Sequence, residues 1–483
     1  MWGNYVICKY TDDFMEKLKY TIICLLMMLP AVLASCIEDG VSTNASEQPV
    51  FSTDTVKMGE VFTQEATPTS RFIVHNRYDK IMSIERISLR EGENEYFRLN
   101  VDGVSAKSFS NVEIRPNDSI FVFVEALLPS NGVDTPVTID GHLDFTTHGN
   151  TETVVLRVIG QDVERLNAVT LSKNTTLTAN RPYQIFDSLI VEQGVTLNVE
   201  AGAKLHFHDG AYLKVYGTLK CNGTAQKQIN LTGDRSGYVA ASIPYEIMSG
   251  QWGGVYFTST SRDNELSFTS IRNTKNGVRL DNVKSKPALT LIASQIHNSA
   301  GPVLQSVHSD INAYATEFSE GAEGVLLLQG GNHELNHCTL ANYYLFSAIT
   351  GAALQLSHLN ADSDDESGEP YMTANVDNCI IYGLGSDISH GELTGTSVYI
   401  RNTLLKSAGT DDDNFIKCIW DTDPMYYTVR NDYYFDYRLQ PESPAIGAAD
   451  PMLTNPLSKT DRYGNSQPSA PDLGAYVFVA EEK

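Results

Sequence analysis

The chain predicts an all-β protein in which a two-sheet sandwich is followed by a long parallel β-helix. Three observations carry this. Short runs of β-branched and aromatic residues, broken by Asn, Gly, Asp and Pro, fill residues 51–160. Beyond residue 194, glycine and leucine recur at a fixed interval. The repeating region carries no helix-period pattern of apolar residues.

Composition bounds the class. The chain has 483 residues, 42% hydrophobic and 19% charged, which excludes a disordered chain. It carries 35 Lys+Arg against 59 Asp+Glu, a formal net charge of -24, which excludes nucleic acid and other polyanions as partners unless a metal bridges them. Seven scattered cysteines, none in a CxxC, exclude a disulfide scaffold.

The first element is an address. Met15 to Cys36 reads as a basic n-region (Lys17, Lys19), an apolar run too short to span a bilayer, and a small-residue cleavage site. Residues 1–14 lack signal character, so Met15 is the expected start, residues 1–35 the signal peptide and 36–50 a polar tether. Leu33-Ala34-Ser35-Cys36 resembles the bacterial lipobox. That resemblance implies a lipidated Cys36 as the mature N-terminus, with acyl chains holding the protein at a membrane by about 0.8 kcal/mol per buried CH₂. Ile37-Glu38-Asp39 resembles the surface-export signals of Bacteroidetes lipoproteins, which implies the outward face of the outer membrane. Of the remaining thiols, Cys221, Cys338, Cys379 and Cys418 read as small buried apolar residues.

The second element, residues 51–162, holds about seven strand-like runs, among them Ser70-Arg71-Phe72-Ile73-Val74 and Ser119-Ile120-Phe121-Val122-Phe123-Val124, which fit an immunoglobulin-like β-sandwich. Val112 to Ser119, with Gly141 to Gly149 downstream, resembles bacterial Ig-like domains of the Hydin type, which implies a spacer.

The third element, residues 165–479, repeats. Gly194, Gly202, Gly210 and Gly217 begin units ending at Leu197, Leu205, Leu213 and Leu219, with glycine spacings of 8, 8 and 7. That is a coil of three short strands and three turns. Ile271, Ile296, Phe318 and Leu340 recur at 25, 22 and 22, and Gly277-Val278, Gly301-Pro302-Val303 and Gly324-Val325 at 24 and 23. A β-rich period near 23 means a parallel β-helix, with Leu stacked on Leu, Ile on Ile, and Asn273, Asn298 and Asn342 forming an amide ladder at one corner. A leucine-rich repeat has a similar period but needs a helix-favouring half in each unit, which is missing.

Gly330 to Tyr343 and Asn378-Cys379-Ile380-Ile381-Tyr382-Gly383 resemble the later coils of right-handed β-helix lipoproteins of gut Bacteroidetes, within the pectate-lyase-like superfamily. Ser443-Pro444-Ala445-Ile446-Gly447 through Asp461 and Arg462 to Pro471-Asp472-Leu473-Gly474-Ala475-Tyr476 resembles the segment that caps many bacterial β-helices. The resemblance implies a right-handed parallel β-helix. It does not imply one function, because the fold hosts lyases, hydrolases, adhesins and inert scaffolds.

Several motifs touch on chemistry. His333-Glu334-Leu335-Asn336-His337 matches HExxH, but it follows two glycines and falls on a repeat strand, where i and i+4 lie about 13 Å apart, too far to share a zinc ion. No metal site is expected there. The acidic insert 360–369, Asp411-Asp412-Asp413 and Asp421-Thr422-Asp423 read as solvated loops, with Ca²⁺ as the alternative. Arg272, Lys275 and Arg279 crowd one coil, with Arg401 further along. They are the candidate bases of a polysaccharide lyase, against which the net charge of -24 argues. Trp252, Tyr343, Tyr344 and Trp420 are the candidate sugar-stacking residues, together with Tyr256, Tyr426, Tyr427, Tyr433 and Tyr434. The competing reading is packing, since Gln251-Trp252-Gly253-Gly254 recurs in the resembling lipoproteins as a coil-start feature. The expected function is therefore an outer-membrane surface lipoprotein whose β-helix presents a platform for carbohydrate binding or adhesion. The alternatives are a polysaccharide lyase or glycoside hydrolase, and a structural stalk.

Overall fold

The computed structural model describes residues 40–93, 95–235, 237–240, 243–357, 372–391 and 397–480. Cys36, the export signal Ile37-Glu38-Asp39 and the acidic insert 360–369 lie outside them. The chain is all-β, with three short 3₁₀ turns as its described helical elements, and no described helix is long and apolar enough to cross a membrane. It divides into two compact units, which are described separately.

The first unit takes residues up to Met58, Ala66–Leu127 and Ile139–Val158. Its strands belong to two five-stranded sheets, and Ser70–His75, Ser119–Ala126 and Phe97–Val101 pair antiparallel in one of them. Period-2 alternation decides which face is buried: in Ser119–Ala126, Ile120, Val122, Val124 and Ala126 point inward. Phe72 of one sheet meets Phe145 of the other edge to face at 6.1 Å, closing an apolar core between them.

The second unit takes Gly59–Glu65, Leu128–Thr138 and everything from Ile159 on. Asp162 gathers its three pieces. The buried carboxylate accepts from Thr63 Oγ1 (2.7 Å), Ser130 Oγ (2.6 Å), and the backbone N–H of Asn131 and Gly132. Burial opposes its charge, but these donors outweigh burial and hold the carboxyl well below its ordinary range.

The rest of this unit forms long parallel sheets compatible with a β-helix. The described strands assemble into a 17-stranded and a 10-stranded sheet. Three parallel ladders run through them. Ladder 1 passes through Lys204–Phe207, ladder 2 through Tyr212–Val215 and ladder 3 through Thr218–Asn222. The glycine-leucine units fall one per ladder: Leu197 and Leu219 on ladder 3, Leu205 on ladder 1, Leu213 on ladder 2. Gly194, Gly202 and Gly210 turn the chain with φ of +80°, +90° and +76°. Gly217 is needed for another reason, because a Cβ there would lie 2.1 Å from the carbonyl oxygen of Val195.

Inward side chains stack like on like. Ladder 1 aligns Leu205, Leu231, Ile271, Ile296, Phe318, Leu340, Ile381 and Leu405 in one buried column. Each such side chain contributes roughly 1.5–3 kcal/mol, which no single coil could collect alone.

The corner from ladder 3 to ladder 1 is tighter. Phe268, Ala293, Ala315, His337, Asn378, Asn402 and Lys417 all adopt left-handed φ there, between +46° and +56°. The next residue is Thr269, Ser294, Thr316, Cys338, Cys379, Thr403 or Cys418. Its hydroxyl or thiol donates to the carbonyl two residues back, as in Thr316 to Tyr314, Cys379 to Asp377 and Thr403 to Arg401. It also accepts the N–H of its equivalent one coil earlier: Thr269 N to Ser294 Oγ, Cys338 N to Cys379 Sγ, Cys379 N to Thr403 Oγ1. The reading of Cys338, Cys379 and Cys418 as merely apolar is thereby corrected, because they substitute for hydroxyls in a hydrogen-bonded ladder.

The amide ladder is also relocated. Asn273 and Asn298 donate to the backbone carbonyls of Glu246, Ile247 and Met248, not to each other. Coil-to-coil amide bonding occurs instead at the tight corner, where Asn402 Nδ2 donates to Asn378 Oδ1 at 3.0 Å.

The closing segment, residues 424–478, runs along the flank of the column. Asn402 donates to Ala448 O, Asn378 to Asp450 O, Asn336 to Leu453 O, and Gln228 to Arg462 O. The segment is therefore a strap over many coils, where the sequence suggested a cap on the last one. Its two halves clasp each other through Gly447 N to Asp472 Oδ1 (2.7 Å) and Leu473 N to Ala445 O (3.0 Å).

Candidate functional site

The outward faces of the ladders carry the chain's chemistry, and the strap decides which of them is open. On ladder 1, outward Arg272, His297 and Ser319 lie in register on successive coils. Glu317 beside them accepts from Gln295 Nε2 at 2.9 Å and from the hydroxyls of Ser319 and strap Tyr476. Burial works against the Glu317 charge, but His297 and strap Arg462 hold the carboxyl down to about 2. His297 is pushed down by burial. Glu320, the next buried carboxyl, goes the other way. Burial raises it to about 8, although Tyr437 OH and Tyr343 N–H donate to it.

Ladder 3 is open. Its outward row runs Asn312, Glu334, Asn375, Tyr399 in strict register. A cleft of about 220 Å³ sits on this row, lined by Pro287, Asp310, Asn312, Asn332, His333, Glu334, Thr373 and Asn375. Several wall residues are fixed by their neighbours. Asp310 accepts from Asn332 N (2.8 Å) and Nδ2 (3.0 Å), and Thr373 Oγ1 donates to Asn332 Oδ1 (2.7 Å). Glu334 accepts from Tyr314 OH (2.9 Å) and strap Asn455 Nδ2 (2.8 Å). One coil further, Arg401 forks onto Asp377 at 2.6 and 2.7 Å, reaches Asn375 Oδ1 at 3.2 Å, and lies 6.0 Å from the Tyr399 ring. Burial pushes the Asp377 carboxyl up, while Arg401 pulls it back. Tyr399 itself is 38% exposed, an unusual amount for a large ring on a strand of this column.

The HExxH residues diverge. His333 points into the column with Nε2 against Gly330 O at 2.8 Å, Glu334 points out, and His337 occupies the left-handed corner, bound to Thr454 Oγ1 at 2.9 Å. A carbonyl only accepts, so Nε2 carries the proton and Nδ1 of His333 is a bare acceptor, buried without a partner. Burial lowers both histidines to about 4.

The basic candidates are not brought together. Arg272 lies on the strap-covered face, Lys275 is exposed at the following corner, and Arg279 is exposed on ladder 2. The aromatic candidates mostly pack. Trp252 is 0% exposed, stacked on Phe207 at 4.0 Å, with its N–H donated to Arg272 O. Tyr343 and Tyr344 are buried, and Tyr343 stacks on strap Tyr437. Trp420 is half-buried, its N–H on Asp411 Oδ1 at 3.1 Å. Tyr427 and Tyr434 on the strap are exposed, and Arg438 lies 5.7 Å from the Tyr427 ring. Asp411 also accepts from the N–H of Lys417 and Cys418, which makes it a turn-former.

The cleft residues Asp310, Asn312, Asn332, Thr373 and Asn375, and Tyr399 one coil away, were not singled out by sequence reasoning. The signal was present. Asn312, Glu334, Asn375 and Tyr399 each precede an inward apolar residue by one position, and they recur at the repeat interval or that interval enlarged by an insert.

No family model matches the chain, and no curated protein matches it. Among solved structures, it is similar to a family 123 glycoside hydrolase from Clostridium perfringens, with 8% identity, 23% of this chain and 25% of that chain covered, and a TM-score of 0.17. The chain thus spans a quarter of that hydrolase's length. It is also similar to the catalytic unit of a GH87 α-1,3-glucanase from Streptomyces thermodiastaticus, with 10% identity, coverages of 72% and 76%, and a TM-score of 0.23.

Proposed function

We propose that the protein is a lipid-anchored surface protein that holds a glycan in the polar cleft on ladder 3. The cleft carries this reading. Fixed amides and carboxylates suit sugar hydroxyls, and the exposed Tyr399 ring one coil away suits the apolar face of a pyranose. The lipobox at Cys36 supports anchoring, and Ile37-Glu38-Asp39 supports export to the outer surface. In this reading the parallel sheets are a right-handed β-helix of the pectate-lyase-like kind, and the first unit is an immunoglobulin-like spacer. One observation favours a second reading, glycoside hydrolysis: Asp310 and Glu334, two carboxylates, line one cleft.

The test is retention on immobilised neutral, acidic and amino polysaccharides, with release of reducing and unsaturated ends followed in parallel. Retention without release is expected, weakened about tenfold by Tyr399→Ala. Release abolished by Glu334→Gln would establish the hydrolase instead. Retention indifferent to Tyr399→Ala would place sugar binding elsewhere.

A further inference from the structure

Two arginines where the strap crosses ladder 1 carry donors that nothing in the chain satisfies. Arg272 stands in register with His297 and Ser319 on the next two coils. Its Nε is buried without a hydrogen-bond partner, and among the described residues its guanidinium makes no ion pair. Strap Arg462 is 8% exposed, and its Nε is likewise buried without a partner. Its Nη2 donates to Gln228 Oε1 at 2.6 Å, which is neutral. The two groups share their surroundings. Burial lowers the Arg272 guanidinium below its ordinary value, Glu246 and Glu317 pull it back, and the like charge of Arg462 lowers it further. Glu317 also faces Arg462, but its oxygens are occupied by Gln295, Ser319 and Tyr476. Glu246 is exposed, so water screens it. Arg438, the neighbouring strap cation, is forked onto Asp436. Two guanidinium charges thus face one buried carboxylate.

We infer that Arg272 and Arg462 clamp one small oxyanion, a phosphate, sulfate or carboxylate group, and so fasten the strap to ladder 1. A buried donor left open is costly, and a buried cation without a counter-ion more so. An oxyanion answers both, because its oxygens accept the forked N–H groups of guanidinium and its charge offsets the surplus. A neutral hydroxyl could accept a hydrogen bond but would leave the charge. A metal cation would be repelled. Arg272 is half-buried, and the Tyr463 ring, 5.7 Å from Arg462, is exposed, which puts the clamp at the strap's edge, within reach of solvent. The net charge of -24 turns long polyanions away, but one small anion responds to charges within about 8–10 Å, where these arginines lie. The clamp is on a different ladder from the polar cleft and does not depend on a glycan being held there.

The full chain, dialysed into sodium chloride, should be melted in phosphate, sulfate and glucuronate at constant ionic strength, with glucose as the neutral control. The expected result is a melting midpoint that rises and saturates with oxyanion and does not move with glucose. Calorimetric titration should give one site per chain, weakened about tenfold by Arg272→Gln and less by Arg272→Lys, which keeps the charge and loses the fork. Excluded salts stabilise any fold without saturating. A rise that never saturates, or one that Arg272→Gln shares in full, therefore overturns the inference. So does a midpoint indifferent to all three oxyanions. Tighter binding of glucuronate than of the inorganic ions upholds the clamp and assigns it to an acidic sugar, and the reverse order upholds it for a free inorganic anion. The exchange of chloride for oxyanion alters only the salt, so it decides the matter even where a variant folds poorly.

Discussion

Ladders 1 and 3 are wound by the same coils, yet their outward faces have opposite fates. On ladder 1 the outward Arg272, His297 and Glu317 are sealed by strap residues Arg462 and Tyr476, and above them Tyr343, Tyr426 and Tyr437 form an apolar cluster with the strap. On ladder 3 the outward Asn312, Glu334, Asn375 and Tyr399 remain at the surface, and the strap touches the row at its edge through Asn455. The difference teaches that a cluster of ionisable residues on a repeat fold is not by itself a site. The basic residues that suggest catalysis in the sequence lie partly where the strap consumes them. The less conspicuous amide row is the one left with a cleft.

Substitutions can break this contrast. The largest effect is expected on the sealed face. Arg462→Ala removes a buried cation beside Glu317 and should destabilise the second unit by about 3–5 kcal/mol, read from denaturant unfolding. A shift no larger than that of a surface substitution would mean the strap does not seal ladder 1.

Next comes a pH effect. Glu320 is raised from its ordinary 4.5 to about 8, so the folded state holds a proton that the unfolded state releases. Its contribution is full below about 4.5 and is lost as pH rises through about 8. The wild-type melting temperature should therefore contain a downward component across that window that Glu320→Gln removes. Identical pH profiles for the two would count against a buried, protonated Glu320.

The tight corner between the two faces gives a smaller effect. Cys379→Val leaves the Cys338 N–H without an acceptor and should cost about 1–3 kcal/mol, whereas Cys379→Ser keeps the ladder and should stay within about 1 kcal/mol. Equal costs would return these thiols to the role of apolar filler. The smallest stability change belongs to the open face. Tyr399→Ala should alter stability by no more than about 0.5 kcal/mol while weakening glycan retention, a split that a structural residue would not show.

Much of the fold was legible. Leu197, Leu205, Leu213 and Leu219 marked the three ladders, and Ile271, Ile296, Phe318 and Leu340 marked one inward column, because burial on a stacked coil forces like residues to recur at its period. The site was less legible. Glu334 drew notice only through a chance HExxH, and Trp252 drew notice for a ring that is buried. Outward positions obey no packing rule, so their pattern is faint until the register is known.

By itself, then, the sequence determined the coil: its period, its inward column and its glycine turns. These follow from local spacing and burial, which a linear chain records directly. Only the tertiary structure decided that the thiols stand in for hydroxyls, that the closing segment lies along ladder 1, and that ladder 3 keeps an open cleft. Those outcomes depend on which residues, far apart in the chain, come to face one another. Gln228 and Arg462, or Glu334 and Asn455, meet only once the coils have stacked and the strap has chosen its side.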